Sequence, residues 1–400
     1  MRILFLSDNF PPEVNAPATR TYEHCKEWVR LGAEVTVITC APNFPKGKVY
    51  EGYKNKLHQT EYIDGIKVIR VWSFIAANKG FLKRTIDFIS YSMTSFLAGL
   101  FIKTDIIVAT SPQFFTALSG KALGFFKRKP WVMEVRDLWP ESIKTVGAME
   151  DNFIIRYFEF LEKRCYKSAN KIITVTESFK TEIIKKDIDP KKIHVIKNGA
   201  NLTLFQPVVK DKKLLETLGL NDKIVLGYVG THGMAHKLDF LLDCAKEIKD
   251  DKYHFLFIGS GAEKNKLLEK VETEKLSNVT MLDSVPKKEI VKYLSIIDVS
   301  LINLKKDDLF KTVIPSKIFE NAAMEIPILI GVDGESRAII EEFEAGVFYE
   351  PENHHDFLEK LKHITKERSK TKYALGGKKL AQYYDRKRLA AEMFSLLREY

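Results

Sequence analysis

The feature that most constrains this chain is an alternation that runs, breaks and starts again. Short runs rich in Val, Ile, Leu and Phe recur between stretches of helical character. The first half holds "RILFLSD", "EVTVITC", "KVIRVWS", "DIIVAT", "PWVMEVRD", "KIITVT" and "KIHVIKNG". The second holds "KIVLGYVG", "YHFLFIGSG", "VTMLDSV", "VSLINL" and "IPILIG". These runs are apolar throughout rather than at every second residue, the pattern of parallel strands buried on both faces. Helical stretches between them suit right-handed crossovers. Each half is therefore predicted as α/β, a Rossmann-like doubly wound domain. At 400 residues the chain has room for two full cores. The polar, strand-poor "VVKDKKLLETLGLND" after "NGANLTLFQP" marks the break and sets domains over 1–205 and 206–379. The final "KKLAQYYDRKRLAAEMFSLLREY" reads as a closing helix over 380–400, expected to pack back on the first domain. Two such domains are expected to face each other across a cleft at the carboxyl ends of their strands, where ligands bind in this architecture.

The net charge of +10 is unevenly shared. Residues 1–200 carry 31 Lys and Arg against 21 Asp and Glu, and residues 201–400 carry 32 against 32. An excess confined to the first half favours an anionic partner there, with a solvated basic surface as the plainer alternative. Basic residues are scattered and no nucleic-acid module is recognisable, so a membrane surface or lipid phosphate is preferred over nucleic acid. Cys25, Cys40, Cys165 and Cys244 have no C-x-x-C pairing and read as small buried hydrophobes of a reducing compartment. The chain opens at once on a strand, so no signal peptide is expected. The longest apolar stretch, "TIDFISYSMTSFLAGLFI" (Thr85–Ile102), contains Asp87 and several hydroxyl residues and is not read as a membrane span. Its apolar positions 86, 89, 93, 96, 97 and 100 make a helical stripe. That stripe is either a core helix or a membrane-docking face, flanked by Lys83, Arg84 and the basic, aromatic "FFKRKPW" (Phe125–Trp131).

Two segments of the second half suit a nucleotide. "GYVGTHG" (Gly227–Gly233) follows a strand and leads toward the helical "KLDFLLDCAKEI". Backbone N–H groups at such a helix start favour a diphosphate, with His232, His236 and Lys237 as sources of charge and donors. In "IPSKIFENAAMEIPILI" the loop Ile314–Pro315–Ser316 enters a helix at Lys317, with Glu320 one turn in. Ser316 is expected to cap this helix and leave its N–H groups to an anion, Lys317 to add charge, and Glu320 to accept from ribose hydroxyls. A capped helix with exposed charges is the alternative. "FIGSGAEK" and "DSVPKKE" are further strand-end loops, the second offering backbone groups near Ser284 and Val285 to a nucleobase. The first turn of the chain, "LSDNFPPEVNAPATR", has no glycine, unlike a dinucleotide-binding turn.

These segments occur in an order that resembles the retaining glycosyltransferases of group 1, also called family 4, with the GT-B fold. The ordered set is "SDNFPPEVNAPATR", "VRDLWPES", "VTESFK", "KIHVIKNGANLTLF", "GYVGTHG", "FIGSGAEK", "IPSKIFENAAMEIPILIG" and "GVFYEPEN", covering essentially the whole chain. "PPE", "RDLWPES" and "PSK…E" together resemble the branch that builds bacterial O-antigens, lipopolysaccharide and capsules, including N-acetylfucosamine transferases. The resemblance implies transfer of a sugar, an N-acetylated aminosugar in that branch, from a UDP-linked or other nucleoside-diphosphate donor. It implies retention of configuration, no cofactor and no metal. It also implies a donor held by the second domain and a polyprenyl-diphosphate-linked or glycan acceptor held by the first, by a cytoplasmic enzyme peripheral to the inner face of the membrane. An NDP-sugar 2-epimerase of the same architecture, or a non-catalytic partner of another transferase, are the competing readings. The expected donor set is Gly230, Thr231, His232, His236, Ser284, Val285, Ile314, Pro315, Ser316, Lys317 and Glu320, and the family's ribose-binding role carries over to Glu320. The acceptor loop is Glu13, Asn15, Ala16, Arg20 and Arg136; Asp137 and Lys317 are the expected catalytic pair. Asn15 and Ala16 stand where relatives have glycines, and Asn15 is expected to supply an amide, Glu13 and Arg20 to orient acceptor or close a bridge. Thr231, His236 and Thr312 replace an Arg, a Lys and a Glu of the wider family. Glu134 and Glu141 are read as structural or surface groups.

Overall fold

Continuous apolar runs bury both faces of a strand only if helices cover both sides of the sheet. In the computed structural model, which describes residues 1–44, 46–75, 81–111, 114–141, 153–287 and 289–400, they do so in two compact units. Ser142 of "RDLWPES" and Lys288 of "DSVPKKE" lie outside the described residues.

The first unit comprises Met1–Lys197 and Arg386–Tyr400. Its strands are β1 (Arg2–Leu6), β2 (Glu34–Cys40), β3 (His58–Ile63), β4 (Ile66–Val71), β5 (Ile106–Thr110), β6 (Trp131–Val135), β7 (Lys171–Thr174) and β8 (Ile193–Val195). They form one sheet in the order β3-β4-β2-β1-β5-β6-β7-β8. All pairs are parallel except β3 with β4. Every residue of β5 and β6 is buried. β3, "HQTEYI", is a strand without an apolar run and is absent from those expected. It is an antiparallel edge strand with polar residues alternating outward.

The second unit, Asn198–Asp385, carries β9 (Ile224–Val229), β10 (Tyr253–Ile258), β11 (Val279–Leu282), β12 (Val299–Asn303), β13 (Ile328–Gly331) and β14 (Gly346–Phe348). The order is β11-β10-β9-β12-β13-β14, all parallel. Both units reverse strand order beside their first strand, β1 or β9. In open α/β sheets the crevice at that reversal, beyond the carboxyl ends, is where ligands bind.

The division of the chain differs from the expected one. It falls at Lys197–Asn198 rather than after residue 205, because Ala200 pairs with Asp385 and donates its N–H to the Tyr384 carbonyl within the second unit. The closing helix is likewise two helices, Glu367–Tyr383 and Arg386–Leu397, and only the second belongs to the first unit. It is held there by the Trp28 indole N–H on the Ala390 carbonyl at 2.8 Å and by Arg386 paired with Glu23. All four cysteines are buried and unpaired with one another.

Candidate functional site: the strand ends of the second unit

At the carboxyl end of β9 the chain turns through Gly230, at φ +146°, and its loop is zipped to the loop after β10. Gly230 N–H donates to the Ile258 carbonyl and His232 N–H to the Ser260 carbonyl, both at 2.9 Å. The approach is close enough to require glycine on the other side: a Cβ on Gly259, at φ +154°, would lie 1.8 Å from the Gly230 carbonyl oxygen. Lys264 fastens the same corner by donating to the Gly259 and Leu282 carbonyls and to Asp283, at 2.7–2.8 Å. An open cavity of about 220 Å³ lies over these loops, lined by Gly230, Thr231, Gly259, Ser260, Ser284 and Val285. Four of these are expected donor residues, brought together from two loops; Gly259 and Ser260 of "FIGSGAEK", from a third, complete the wall.

Lys317 enters from the helix Lys317–Ala323. Its ammonium sits 3.9 Å from the centroid of the Tyr228 ring and 2.8 Å from where a Cβ on Gly230 would be. Tyr228 is fixed in turn by its hydroxyl donating to the Thr231 carbonyl at 2.8 Å. Among the described residues no acceptor hydrogen-bonds the Lys317 ammonium. Burial lowers its pKa to about 7, with the Glu320 carboxylate acting in the opposite direction. Thus, among the described residues, an ammonium with no hydrogen-bonding acceptor faces glycine backbone, an arrangement whose electrostatics suit an anion.

Several expectations for this site need correction. Ser316 does not cap: its backbone is already helical at φ −59°, ψ −26°, and its side chain makes no cap hydrogen bond. The first turn closes instead as Ile318 N–H to Pro315 O and Phe319 N–H to Ser316 O, both 3.1 Å, so those amides are engaged inside the chain. Ile314 is buried, so its side chain serves packing. The glycine turn does not run straight into a helix. A short 3-10 turn, Met234–His236, intervenes, and the helix Leu238–Glu247 starts after Lys237 in a left-handed conformation. Lys237 is paired with Asp239 at 2.8 Å. His232 and His236 bring donors but no charge. Burial, then Lys264 and Lys317 for His232 and Lys317 for His236, lower both pKa values to about 4. Both His232 ring nitrogens and Nδ1 of His236 are buried without hydrogen-bond partners among the described residues. Asn303, buried at the end of β12, is a residue sequence reasoning missed: its amide donates to the His236 and Lys237 carbonyls while its oxygen accepts from Tyr349. Thr312, in the place of a family glutamate, donates to the Leu309 carbonyl.

The first unit uses its expected acceptor residues largely as scaffold. Asn15 caps the helix Ala16–Arg30, its Oδ1 accepting from Ala18 N–H at 2.9 Å while its amide donates to Asn9. Its amide is therefore engaged, and Ala16 is the exposed first residue of that helix. Glu13 is buried and accepts from the N–H groups of Asn43 and Phe44 at 2.7 and 2.8 Å. Arg20 closes a bridge, but to Glu134 at 2.9 Å, with both side chains 2% exposed. Glu134 is thus structural, and Glu141 pairs with Lys186. Arg136 stands half-buried just beyond β6, one guanidinium nitrogen on the Pro17 carbonyl at 3.3 Å and its Nε buried without a partner among the described residues. Burial, with Arg20 and Arg386 adding repulsion against the pull of Glu134, lowers its pKa to about 10. Asp137 is half-buried beside it.

Two doubly wound units, the second with a glycine-lined strand-end pocket and the Lys317 ammonium beside Gly230, have the architecture of the GT-B fold. Family models agree: "Glycosyltransferase Family 4" matches residues 17–204 and "Glycosyl transferases group 1" matches residues 210–379. The chain belongs to the group 1 glycosyltransferases. It is 23% identical over 329 residues to WcaI of Escherichia coli (strain K12), named for glycosyl transfer in colanic acid biosynthesis, with 80% of each chain covered. It is 26% identical over 201 residues to TuaH of Bacillus subtilis (strain 168), named for teichuronic acid biosynthesis, covering 50% of this chain and 49% of that one. Among solved structures it is similar in fold to Anabaena Alr3699/HepE in complex with UDP and glucose, at TM-score 0.75, 16% identity and full coverage of both chains.

Proposed function

We propose that this glycosyltransferase moves a sugar from a UDP-linked donor, an N-acetylated aminosugar in our reading, to a hydroxyl of a polyprenyl-diphosphate-linked or glycan acceptor. The setting is bacterial surface polysaccharide assembly, O-antigen or capsule, at the inner face of the cytoplasmic membrane. The observation that carries the reading is Lys317, an ammonium without an acceptor among the described residues, set against the backbone of Gly230. The UDP complex of HepE and the names of WcaI and TuaH support it.

In the proposed reaction the bond from the sugar's C1 to the phosphate oxygen breaks and a bond from C1 to the acceptor oxygen forms on the same face. The acceptor proton passes to the departing phosphate oxygen. No side-chain base and no metal are assigned. Charge grows on the leaving diphosphate, and fixed donors aimed at it lower the barrier. Lys317 supplies the full charge. The neutral His232 and His236 supply N–H donors, and Ser284 and Val285 meet the base. Glu320 receives the ribose hydroxyls. In the first unit, Arg136 and Asp137 meet the acceptor. Thermal-shift screening against UDP, ADP, GDP and TDP tests the donor: saturation at about 100 times Kd stabilises the native state by about 2.7 kcal/mol. A shift with UDP is expected; none with any nucleotide would overturn the reading.

Two further outcomes follow from the same geometry. The lowered pKa of Lys317 leaves the empty site partly uncharged near pH 7. A bound diphosphate raises that pKa, so the complex holds more protons than the free protein. Affinity for UDP is therefore full below pH 7 and weakens as pH rises above it, by up to about tenfold per unit. UDP titrations from about pH 6.5 to about 9 in buffers of differing ionisation enthalpy check both the slope and the proton uptake. A flat profile, or an affinity that rises with pH, contradicts the assignment. Second, Gly259→Ala forces a methyl against the Gly230 carbonyl at positive φ. The strain, about 1–3 kcal/mol from backbone alone, is expected to shift the Gly230 turn and weaken UDP binding, measured by calorimetry against the wild type.

A further inference from the structure

We propose that the outer face of the helical layer Phe81–Leu100, Phe114–Lys127 and Phe153–Ser168 is a docking surface for an anionic lipid bilayer. The proposal rests on the reading above only in that a lipid-linked acceptor gives the surface its purpose. The three helices cover one side of the first unit's sheet, their inner residues Tyr91, Ala117, Leu123, Cys165 and Tyr166 sharing one core. Their outer residues are the unusual part.

On the first helix Ile86, Ile89, Met93 and Leu97 are 43%, 40%, 62% and 55% exposed. They follow one another at helical spacing, so they form a single outward stripe, while Phe96 and Leu100 pack inward. The stripe expected from sequence is therefore divided: this helix is apolar toward the core and apolar toward solvent. It ends at Phe101, 86% exposed; Phe125 and Phe126 of the second helix are exposed as well, and Phe126 joins the first helix through a ring contact with Phe96 at 5.6 Å. The third helix adds Phe153, Ile154, Tyr157 and Phe160, each at least half exposed. Scattered exposed hydrophobes are ordinary on a soluble surface; aromatic and aliphatic groups collected on one layer mark an interaction site. The second unit's large exposed hydrophobes, such as Val209, Met234 and Leu375, are few and dispersed along the chain.

Charge selects the occupant. Residues 81–129 and 153–168 contain eleven Lys and Arg but four Asp and Glu. Of those four, Glu162 is buried and Asp105 is paired with Arg2. Arg128, Lys129 and Arg164 are exposed around the aromatic groups. An apolar, aromatic face rimmed by cations complements anionic headgroups over acyl chains. A second copy docking here by two-fold symmetry would set the same cations against themselves. Among the described residues no helix is long and apolar enough to cross a membrane, so the contact is with the bilayer surface.

The test is co-sedimentation of the full chain with vesicles of phosphatidylcholine alone or mixed with phosphatidylglycerol. Two variants accompany it: Met93→Ser/Leu97→Ser/Phe101→Ser, and Arg128→Glu/Lys129→Glu. All these side chains point to solvent, and an unchanged UDP-induced thermal shift verifies that each variant is folded. Binding is expected to the anionic vesicles, weakened about tenfold or more on the neutral ones, in either variant and at high salt. Equal binding to both lipids, or variants that bind like the wild type, would overturn the proposal. So would a stable dimer in light scattering that the same substitutions dissociate, because the face would then belong to a second copy. Vesicle binding that persists in a chain unable to bind UDP supports this surface while removing the donor reading.

Discussion

Replacing Lys317 by methionine is expected to lower kcat by about 10²–10³ while leaving the protein folded. Methionine keeps the length and apolar stem that lie against Tyr228 but removes the ammonium. Because the charge is held in a partly desolvated position, its loss is not made good by solvent, and the leaving diphosphate loses its one full positive partner in the proposed site. The folded state should not suffer. Burial disfavours the charged form of Lys317, so the substitution relieves a desolvation cost and the thermal midpoint without ligand should stay level or rise. The UDP-induced shift should shrink, and the fall in affinity between about pH 7 and about 9 should flatten because the titrating group is gone. Wild-type turnover in Lys317→Met, with the pH dependence intact, would remove this residue from the mechanism.

The second large effect concerns stability. Glu134→Gln is expected to destabilise the first unit by about 3–5 kcal/mol, because it leaves the Arg20 guanidinium buried without a counter-charge. Arg20 Nε lies on Glu134 while its terminal nitrogens donate to the Ile196 and Lys197 carbonyls, each at 2.9 Å. The group thus ties the helix Ala16–Arg30 to both β6 and the end of β8. Burial pushes the Glu134 carboxyl up, but Arg20 and Arg136 hold it below the usual range. Its pairing therefore contributes stability that is present above the ordinary carboxylate range and lost as pH falls through the lowered value. The double variant Arg20→Met/Glu134→Gln should cost much less than the two single changes added together. Urea unfolding followed by tryptophan fluorescence reads this unit selectively, since Trp28, Trp72, Trp131 and Trp139 all lie within it. A change below about 1 kcal/mol would place the pair among ordinary surface bridges.

What could be read from the sequence follows from how local each signal is. Parallel strands buried on both faces, such as β5 and β10, write themselves as unbroken apolar runs, so the two sheets were legible. β3 was not, because an edge strand of alternating polar residues looks like loop, and β14 is only three residues long. "GYVGTHG" and "IPSK" were legible as glycine turn and cationic loop. Ser316 failed because capping depends on backbone angles that a Ser-Lys pair does not dictate. Asn15 shows the opposite case: Asn before Ala-Pro is an ordinary helix start by residue type, and capping engages the side chain to which the family resemblance gives a ligand role. His232 and His236 lost their expected charge to burial, a property of the assembled loops rather than of the motif. Arg20 and Glu134, 114 positions apart, could not be paired by any spacing rule. The outward half of the stripe on Phe81–Leu100 needed the core to be assigned first, since periodicity cannot tell which side faces in.

The account stands on the diphosphate lying in the second unit, against Gly230 and the Lys317 ammonium. A crystal structure of the full chain with UDP tests this directly. The predicted result is both phosphates within hydrogen-bond reach of Lys317 Nζ and the base near Ser284 and Val285. UDP seated instead beside Asn15 and Arg20 of the first unit, with the Lys317 ammonium still lacking an acceptor, would contradict it.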